Sequence, residues 1–176
     1  MSASAAVPIL NNRAADALTI ERVDYADPDQ GAALFRLLDV YARDPAGGGH
    51  PLDPAKKEAL LSGLADTPGA FSLLAYLDGE AVGLANCFTG FSTFAARPLV
   101  NIHDVSVDPP CRGRGIGRAL FARVEEEARA IGAAKVTLEV LSNNAPAQGL
   151  YRSLGYGDFI LDPHMGHALF WQKVLD

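Results

Sequence analysis

The 176-residue sequence lacks the signals of a nucleic-acid-binding, membrane-spanning or disulfide-rich protein. Its 21 aspartates and glutamates outnumber its 15 lysines and arginines, and a net charge of −6 offers no general basic surface for nucleic acid. No stretch approaches the roughly 20 apolar residues of a membrane span, and the first residues carry no secretory leader pattern. Cys87 and Cys111 match neither a disulfide framework nor a metal-site pattern. We therefore expect a cytoplasmic protein with free thiols, no metal, and no nucleic acid or membrane partner.

The composition is that of an ordinary globular chain. Apolar residues make up 49% of the sequence and charged residues 20%, and the length is sufficient for one domain with a hydrophobic core. Residues 1–16 are rich in alanine, serine and asparagine, and we expect them to form a tail or a short extension. Residues 17–176 are predicted to form a single domain.

Hydrophobic periodicity predicts strands and helices in a mixed order. A strand near residues 17–25 precedes a helix that Asp27 would cap, and a second, shorter helix follows. Two apolar runs flank Asp78-Gly79, a dipeptide typical of hairpin turns. A strand ending at Pro109, an amphipathic helix, another strand, another helix and one or two closing strands in "FILDPHMGHALFWQKVL" complete the chain. This order predicts a three-layer α/β fold with a mixed sheet.

The segment "VSVDPPCRGRGIGRALF" places arginines in a glycine-rich turn between a strand and a helix. Unpaired N–H groups at a helix N-terminus attract anions, glycines allow close approach of the backbone, and arginines add forked donors suited to phosphate. The turn is therefore predicted to hold a pyrophosphate, with a plain glycine-rich turn and solvent-facing arginines as the alternative. The P-loop and dinucleotide-binding patterns are both absent from it.

The pattern that fits this turn is R-x-x-G-x-G, filled by Arg112, Gly115 and Gly117. Downstream, "NNAPAQGLYRSLGY" is similar to N-x-x-A-x-x-L-Y-x-x-x-G-[FY]. On these two motifs, most of the chain resembles the GNAT superfamily of N-acetyltransferases. The resemblance implies an α/β three-layer fold with a mixed, mostly antiparallel sheet of six to seven strands, flanked by about four helices.

The resemblance also implies that the cofactor is acetyl-CoA. The backbone of Val105, Ser106 and Val107 would pair with the pantetheine arm, near a bulge or splay that the sequence itself does not show. Asn144 would bind the cofactor arm, cap its own helix, or do both. The residues expected to contact the pyrophosphate lie in the turn and the first helical residues: Arg112, Gly113, Arg114, Gly115, Ile116, Gly117 and Arg118.

The implied reaction is the direct transfer of an acetyl group to a primary amine. Tyr151 stands where the family commonly has the general acid for the departing thiolate, and a core tyrosine is the alternative interpretation. The amine must lose a proton, for which His103 and Asp104 are candidate bases; Asp104 could instead bind the substrate ammonium, and a water relay stays open. Because side chains alternate along a strand, His103 and Asp104 would point to opposite faces unless a bulge intervenes.

The acceptor amine is expected between the loops "YARDPAGGGHP" and "GFSTFAARP". Aromatic rings and carboxylates suit a small cationic amine, and "FSTF" followed by "NIHDVSV" looks somewhat like a polyamine-type branch of the family. The alternative for the two phenylalanines is that they pack the hairpin into the core. The side chains predicted to line the acceptor site are Tyr41, His50, Phe91, Ser92 and Phe94.

A small-molecule N-acetyltransferase is therefore the function that we expect. One alternative is a peptide or protein N-acetyltransferase, which needs a more open acceptor groove. Another is a non-catalytic acyl-CoA-binding module that regulates a partner. The apolar final stretch "HALFWQKVL" also leaves a homodimer open.

Overall fold

Strands and helices follow one another in the predicted order as far as the fourth helix. The computed structural model describes residues 17–160, 162, 164, 166 and 168–175, so the predicted tail at 1–16 lies outside the described residues. Short 3-10 turns occur at Pro45–Gly47, Pro54–Lys56 and Pro109–Cys111. The main elements are β1 (Leu18–Arg22), α1 (Pro28–Arg43), α2 (Lys57–Asp66), β2 (Ala70–Leu77), β3 (Glu80–Ser92), β4 (Arg97–Val107), α3 (Ile116–Ala130), β5 (Val136–Leu138) and α4 (Ala145–Ser153).

The five strands form one sheet in the order β1-β2-β3-β4-β5. Neighbouring strands are antiparallel from β1 to β4, and β5 is parallel to β4. The predicted hairpin turn is confirmed, because Asp78 and Gly79 connect β2 to β3 with φ values of 53° and 84°. The mixed, mostly antiparallel sheet with four helices confirms the predicted fold class.

Local side-chain interactions fix the start of α1 and stabilise α3. The Asp27 side chain accepts hydrogen bonds from the backbone N–H groups of Asp29 and Gln30 at the start of α1, which satisfies donors that have no partner within the helix. On the solvent side of α3, Glu125 and Arg129 form an ion pair of 2.6 Å between residues four apart.

The sheet carries a hydrophobic core on each face. One core joins the sheet to α3 and α4, and its fully buried members include Leu73, Ala85, Val100, Leu120 and Phe121. The other joins the sheet to α1, and its buried members are Val23, Leu34, Leu37, Leu74, Ala81 and Leu84. Two cores separated by one sheet make the three layers that the order of elements predicted.

The prediction of closing strands is wrong for the described residues, which contain five strands rather than six or seven. Residues 168–175 lie outside any helix or strand, and Phe170, Trp171 and Val174 are exposed by 78–83%. Apolar composition predicted strands here, but a strand needs a neighbour for its backbone hydrogen bonds, and none pairs with this segment. No helix in the described part of the chain has the length and apolar character needed to span a membrane.

Candidate active site

Strand β4 is irregular at His103. On β3, Cys87 lies opposite Ile102, whereas its neighbour Asn86 lies opposite Asp104, so His103 is an extra residue on β4. This arrangement is a β-bulge, which bends a strand and redirects its side chains. It supplies the irregularity that the family resemblance implied and that the sequence pattern did not show.

The bulge places His103 and Asp104 on the same face of the sheet. Ile102 and Val105 both pack into the core beside α3, so the two residues between them face the opposite side, toward α1. There the His103 ring meets the Phe88 ring edge-on, with 5.6 Å between the ring centroids. The opposite orientations expected of a regular strand therefore do not occur.

The carboxylate of Asp104 is half-buried, and among the described residues its hydrogen-bond partner is Asn86. Nδ2 of Asn86 donates a hydrogen bond of 3.0 Å to Oδ2 of Asp104. Within the described residues, Asp104 forms no ion pair. A half-buried carboxylate without a cation beside it is suited to bind an ammonium group or to accept a proton.

Tyr41, near the end of α1, lies close to both predicted catalytic positions. Burial, followed by the charges of Asp104 and Asp44, raises the pKa of Tyr41. Burial, followed by the interaction with Tyr41, raises the pKa of Tyr151. Tyr41 therefore interacts electrostatically with Asp104 and with Tyr151. These interactions link a predicted acceptor residue to a candidate base and to the candidate acid.

Tyr151 is held by α4 against the core. Its ring packs on the Phe121 ring with 5.1 Å between the centroids, and Phe121 is fully buried. A phenol is protonated at neutral pH even at the ordinary pKa of 10.0, and burial raises the pKa of Tyr151 further, so the side chain is in the state that a proton donor requires. The same shift makes the phenol a weaker acid, so proton donation needs a short and well-aligned contact.

The start of α3 forms an open cradle of backbone N–H groups. Its N-cap is Gly115, with φ 84° and no side-chain cap, whereas Asp27 caps α1 and Asn144 caps α4 by accepting from Ala147 N–H. A Cβ added at Gly113 (φ 79°) or Gly115 would meet no atom within 4 Å. These open Cβ positions and the absence of a side-chain cap on α3 fit the predicted pyrophosphate.

A gap between β4 and β5 lies next to this cradle. The two strands pair only between Val100–Ile102 and Val136–Leu138, and β5 ends there. Beyond that point, β4 continues through 105–107 paired only with β3 among the described strands. Apart from the Val107 carbonyl oxygen, which accepts from Arg112 Nε, the backbone groups of these residues that do not pair with β3 fit the backbone pairing expected for a pantetheine arm.

Arg112 of the turn and Arg118 in the first turn of α3 make side-chain contacts with other elements. Arg112 donates from Nε to the Val107 carbonyl oxygen at 3.0 Å and from Nη2 to Oδ2 of Asp44 at 3.1 Å. Arg118 donates from Nη2 to Oγ of Ser153 at 2.9 Å. Arg112 therefore joins the cofactor turn to the loop after α1, and Arg118 joins α3 to α4. Each guanidinium keeps further N–H donors for an anion.

Glycine in the first turn of α3 serves packing as well as ligand access. A Cβ added at Gly117 would lie 3.1 Å from a side-chain carbon of Leu150 on α4. The absence of a side chain at Gly117 lets α4 approach the head of α3. The motif glycine thereby helps to hold Tyr151, one residue further along α4, near the cofactor cradle.

The remaining predicted acceptor residues lie further from this centre or at the surface. His50 is exposed in the loop after α1. Phe91 is 63% and Phe94 102% exposed near the tip of the β3–β4 hairpin, so neither packs into the core. Phe91 is five residues from Asn86, about 17 Å along an extended strand. Phe91, Ser92 and Phe94 lie at or near this hairpin tip, and their part in acceptor binding stays a prediction.

Sequence reasoning missed Asn86, which contacts Asp104. The available signal was an amide in the middle of the apolar strand segment "AVGLANCF". Polar residues that are fully buried usually have a specific hydrogen-bonding partner. The partner itself could not be read from the sequence because it depends on the register between β3 and β4.

Comparison with known proteins gives matches in sequence. The family model described as "Acetyltransferase (GNAT) family" matches residues 33–156. Aminoalkylphosphonate N-acetyltransferase of Salmonella typhimurium (strain LT2) is 28% identical over 149 residues, which cover 84% of this chain and 92% of that protein. Streptothricin acetyltransferase of Streptomyces lavendulae is 39% identical over 85 residues, which cover 48% of this chain and 43% of that protein. The match therefore spans less than half of the streptothricin enzyme.

Solved structures share the fold over most of the chain. An aminoglycoside acetyltransferase from an uncultured soil metagenomic sample, in complex with sisomicin, has a TM-score of 0.70 at 20% identity and covers 89% of this chain and 97% of that chain. An aminoglycoside N-acetyltransferase in complex with CoA has a TM-score of 0.69 at 19% identity and covers 90% of this chain and 96% of that chain.

Proposed function

We propose that this chain, which belongs to the acetyltransferase (GNAT) family, is an acyltransferase that uses acetyl-CoA and that its acceptor is a primary amine of a small cationic molecule. The observation that carries this proposal is the position of Asp104. Its carboxylate, without an ion-pair partner among the described residues, faces the same side of the sheet as α1, near Tyr41. A carboxylate beside an aromatic ring binds a cationic amine through charge and cation–π attraction.

The described residues fit acetyl-CoA at two places. The uncapped amides at the head of α3 and the guanidinium of Arg112 would hold the pyrophosphate. The uncovered edge of β4 at 105–107 would pair with the pantetheine arm. Asn144 uses Oδ1 to cap α4, which leaves its Nδ2 as a donor for the same arm. When bound, the cofactor supplies an acyl group activated as a thioester.

The chain's own residues then orient the acceptor and move two protons. Asp104 binds the ammonium form of the acceptor and takes the proton that the nitrogen must lose before it attacks. His103, exposed on the same face, is the second candidate base and would take the proton through a water molecule. Tyr151 Oη donates a proton to the leaving sulfur and regains one from solvent. Two protons leave the nitrogen, one to Asp104 before the attack and one to solvent as the amide forms, and one proton reaches the sulfur, so the net reaction releases one proton to solvent.

The names of the relatives support a small acceptor. They specify an aminoalkylphosphonate, streptothricin and aminoglycosides. Another relative is named as a ribosomal protein bS18 alanine N-acetyltransferase and a further one as an N-alpha-acetyltransferase, so peptides remain the alternative acceptors. The substrate of this chain is therefore proposed by chemical class only.

An acceptor screen tests the proposal. The chain is incubated with acetyl-CoA and a panel of aminoglycosides, aminoalkylphosphonates, diamines and peptides with a free N-terminus, and thiol release is measured with mass spectrometry of the products. We expect turnover with at least one class of small amine and little with peptides. Preferential acetylation of peptides would contradict the small acceptor. Binding of acetyl-CoA without turnover of any amine would contradict the transfer itself.

A further inference from the structure

A line of buried polar groups crosses the sheet and ends at Asp104. Ser72 on β2 lies directly opposite Asn86 on β3, which lies directly opposite Asp104 on β4. Oγ of Ser72 is 2.6 Å from Oδ1 of Asn86, and Nδ2 of Asn86 is 3.0 Å from Oδ2 of Asp104. Beyond the other end, the hydroxyl of Tyr25 lies 2.8 Å from Oγ of Ser72. These four residues form a continuous polar chain.

The direction of the hydrogen bonds follows from the number of protons. Asn86 donates through Nδ2 to Asp104, so its Oδ1 accepts the proton of Ser72. Because serine has one hydroxyl proton, Tyr25 must donate to Ser72. Every donor therefore points toward Asp104, and the last acceptor is its carboxylate.

The burial of this polar chain is costly for the fold. Ser72 is 0% and Asn86 3% exposed, and the neighbouring positions Leu74 and Leu84 on the same face belong to the apolar core. Apolar side chains in place of the serine and asparagine would not need hydrogen-bond partners. The arrangement instead delivers a fixed donor to one oxygen of Asp104, next to the bulge at His103.

We propose that Asn86, supported by Ser72 and Tyr25, is a positioning residue that holds the Asp104 carboxylate toward the acceptor amine. The inference rests on the proposed role of Asp104 in acetyl transfer. With Oδ2 held by Asn86, Oδ1 of Asp104 is left for the acceptor nitrogen. Misplacement of a reacting group by about 1 Å lowers a rate on the order of 100-fold, so the single amide of Asn86 has a measurable effect.

The test compares Asn86→Leu in two backgrounds, the natural chain and Asp104→Asn. In the natural chain, we expect kcat/KM for the acceptor to fall about tenfold or more, mainly through kcat, with the Kd for acetyl-CoA unchanged. In the Asp104→Asn background, adding Asn86→Leu should change kcat/KM less than about twofold, because its effect acts through Asp104. If Asn86→Leu lowers kcat/KM by the same factor in both backgrounds, the inference is overturned.

Two further variants separate positioning from loss of stability. Ser72→Ala combined with Asn86→Leu removes both polar groups together, which avoids an unpaired buried hydroxyl, and it should show the same fall in kcat. Leu74→Ala removes apolar packing on the same face outside the polar chain; it should lower the Tm more than the double variant does and leave kcat/KM within about twofold. If Leu74→Ala lowers kcat as much as Asn86→Leu does, Asn86 is merely structural.

Failure of the inference can be distinguished from failure of the proposed function. If the natural chain transfers acetyl to an amine and Asp104→Asn leaves kcat/KM unchanged, the positioning role is overturned while the transferase stands. If the natural chain turns over no amine, the proposed function itself fails. Loss of kcat on Asp104→Asn together with the non-additive effect of Asn86→Leu supports both.

Discussion

The two faces of the central sheet are built from different side chains. The face that packs on α3 and α4 is apolar throughout its buried part, with Leu73, Ala85, Cys87 and Ile102 among the buried members. The face toward α1 has two kinds of buried side chain. Apolar residues pack around Leu34, Leu37, Leu74 and Leu84, and Ser72 and Asn86 form a buried polar pair. The bulge at His103 adds Asp104 to this second face.

The two faces of the sheet are expected to have different roles. The face toward α3 and α4 mainly holds other elements in place, and the face toward α1 carries the proposed binding site for the acceptor. The apolar face holds α3 and α4, and with them the amide cradle and Tyr151, in fixed places. On the face toward α1, polar side chains replace part of the apolar packing and form hydrogen bonds that end at the Asp104 carboxylate. Variants of the first face should therefore act mainly on stability or cofactor geometry, and variants of the second mainly on the acceptor.

The largest expected effect comes from the centre of the apolar face. Phe121 is 0% exposed and contacts the rings of Tyr151 and Tyr156. Phe121→Ala should lower the free energy of unfolding by about 3–5 kcal/mol because it leaves a cavity, as measured by urea denaturation. Phe94→Ala, which removes the same side chain from a fully exposed position, is the matched control and should leave stability nearly unchanged. Equal losses would contradict the assignment of Phe121 to the core.

Tyr151→Phe tests the chemistry that the apolar face supports. We expect kcat to fall about 100-fold, because the proton donor is lost, while the Kd for acetyl-CoA stays within about twofold. Tyr156→Phe is the matched control, because Tyr156 also packs on Phe121 and its hydroxyl lies 3.5 Å from Glu125. The acid role of Tyr151 is excluded if the two variants have the same kcat.

A variant pair at Arg112 and Asp44 examines the contact between the cofactor turn and the loop on the α1 side. Arg112→Ala should weaken acetyl-CoA binding about tenfold at low ionic strength, since a guanidinium is lost beside the pyrophosphate. Asp44→Asn keeps the guanidinium and should leave the Kd for acetyl-CoA within about twofold while it raises the KM for the acceptor. Calorimetric titration gives the Kd, and initial rates give the KM. A Kd that is unchanged in Arg112→Ala would remove this residue from the cofactor site.

The smallest effect is expected from lowering the pH, which protonates Asp39 and Asp44 near the end of α1. Hydrogen bonds from Arg43 and from the Leu52 N–H lower the pKa of Asp39, and bonds from the Ala46 N–H and Arg112 lower that of Asp44. A carboxylate whose pKa is lower in the folded state than in the unfolded state contributes stability above the unfolded value. That contribution is retained above the ordinary pKa of 3.8 and lost as the pH falls below it.

Urea midpoints measured from about pH 6 down to about pH 3 check this sign. The natural chain should lose stability in the acid part of this range. A variant with both Asp39→Asn and Asp44→Asn should begin less stable and show a shallower decline. An identical decline in both proteins would show that these two aspartates do not contribute to the pH dependence.

Much of the fold could be predicted because it depends on neighbours in the sequence. Asp27 caps the helix that follows it, and Asp78-Gly79 turns the hairpin that contains it. The turn from Arg112 to Gly117 was recognised from its own pattern, and the uncapped glycine at the head of α3 follows from that pattern. The final apolar segment was mispredicted because apolar composition cannot say whether a partner strand is present.

The sequence by itself determined the family, the order of the elements as far as α4 and the glycine-rich start of α3, since these depend on local periodicity, capping and short motifs. Only the tertiary structure decided that His103 and Asp104 share a face, that Asn86 reaches Asp104 from the neighbouring strand, and that Asp44 meets Arg112 from 68 residues away. These contacts depend on strand register and on the packing of distant segments. A one-residue bulge changes which side chains meet without leaving a mark on local composition.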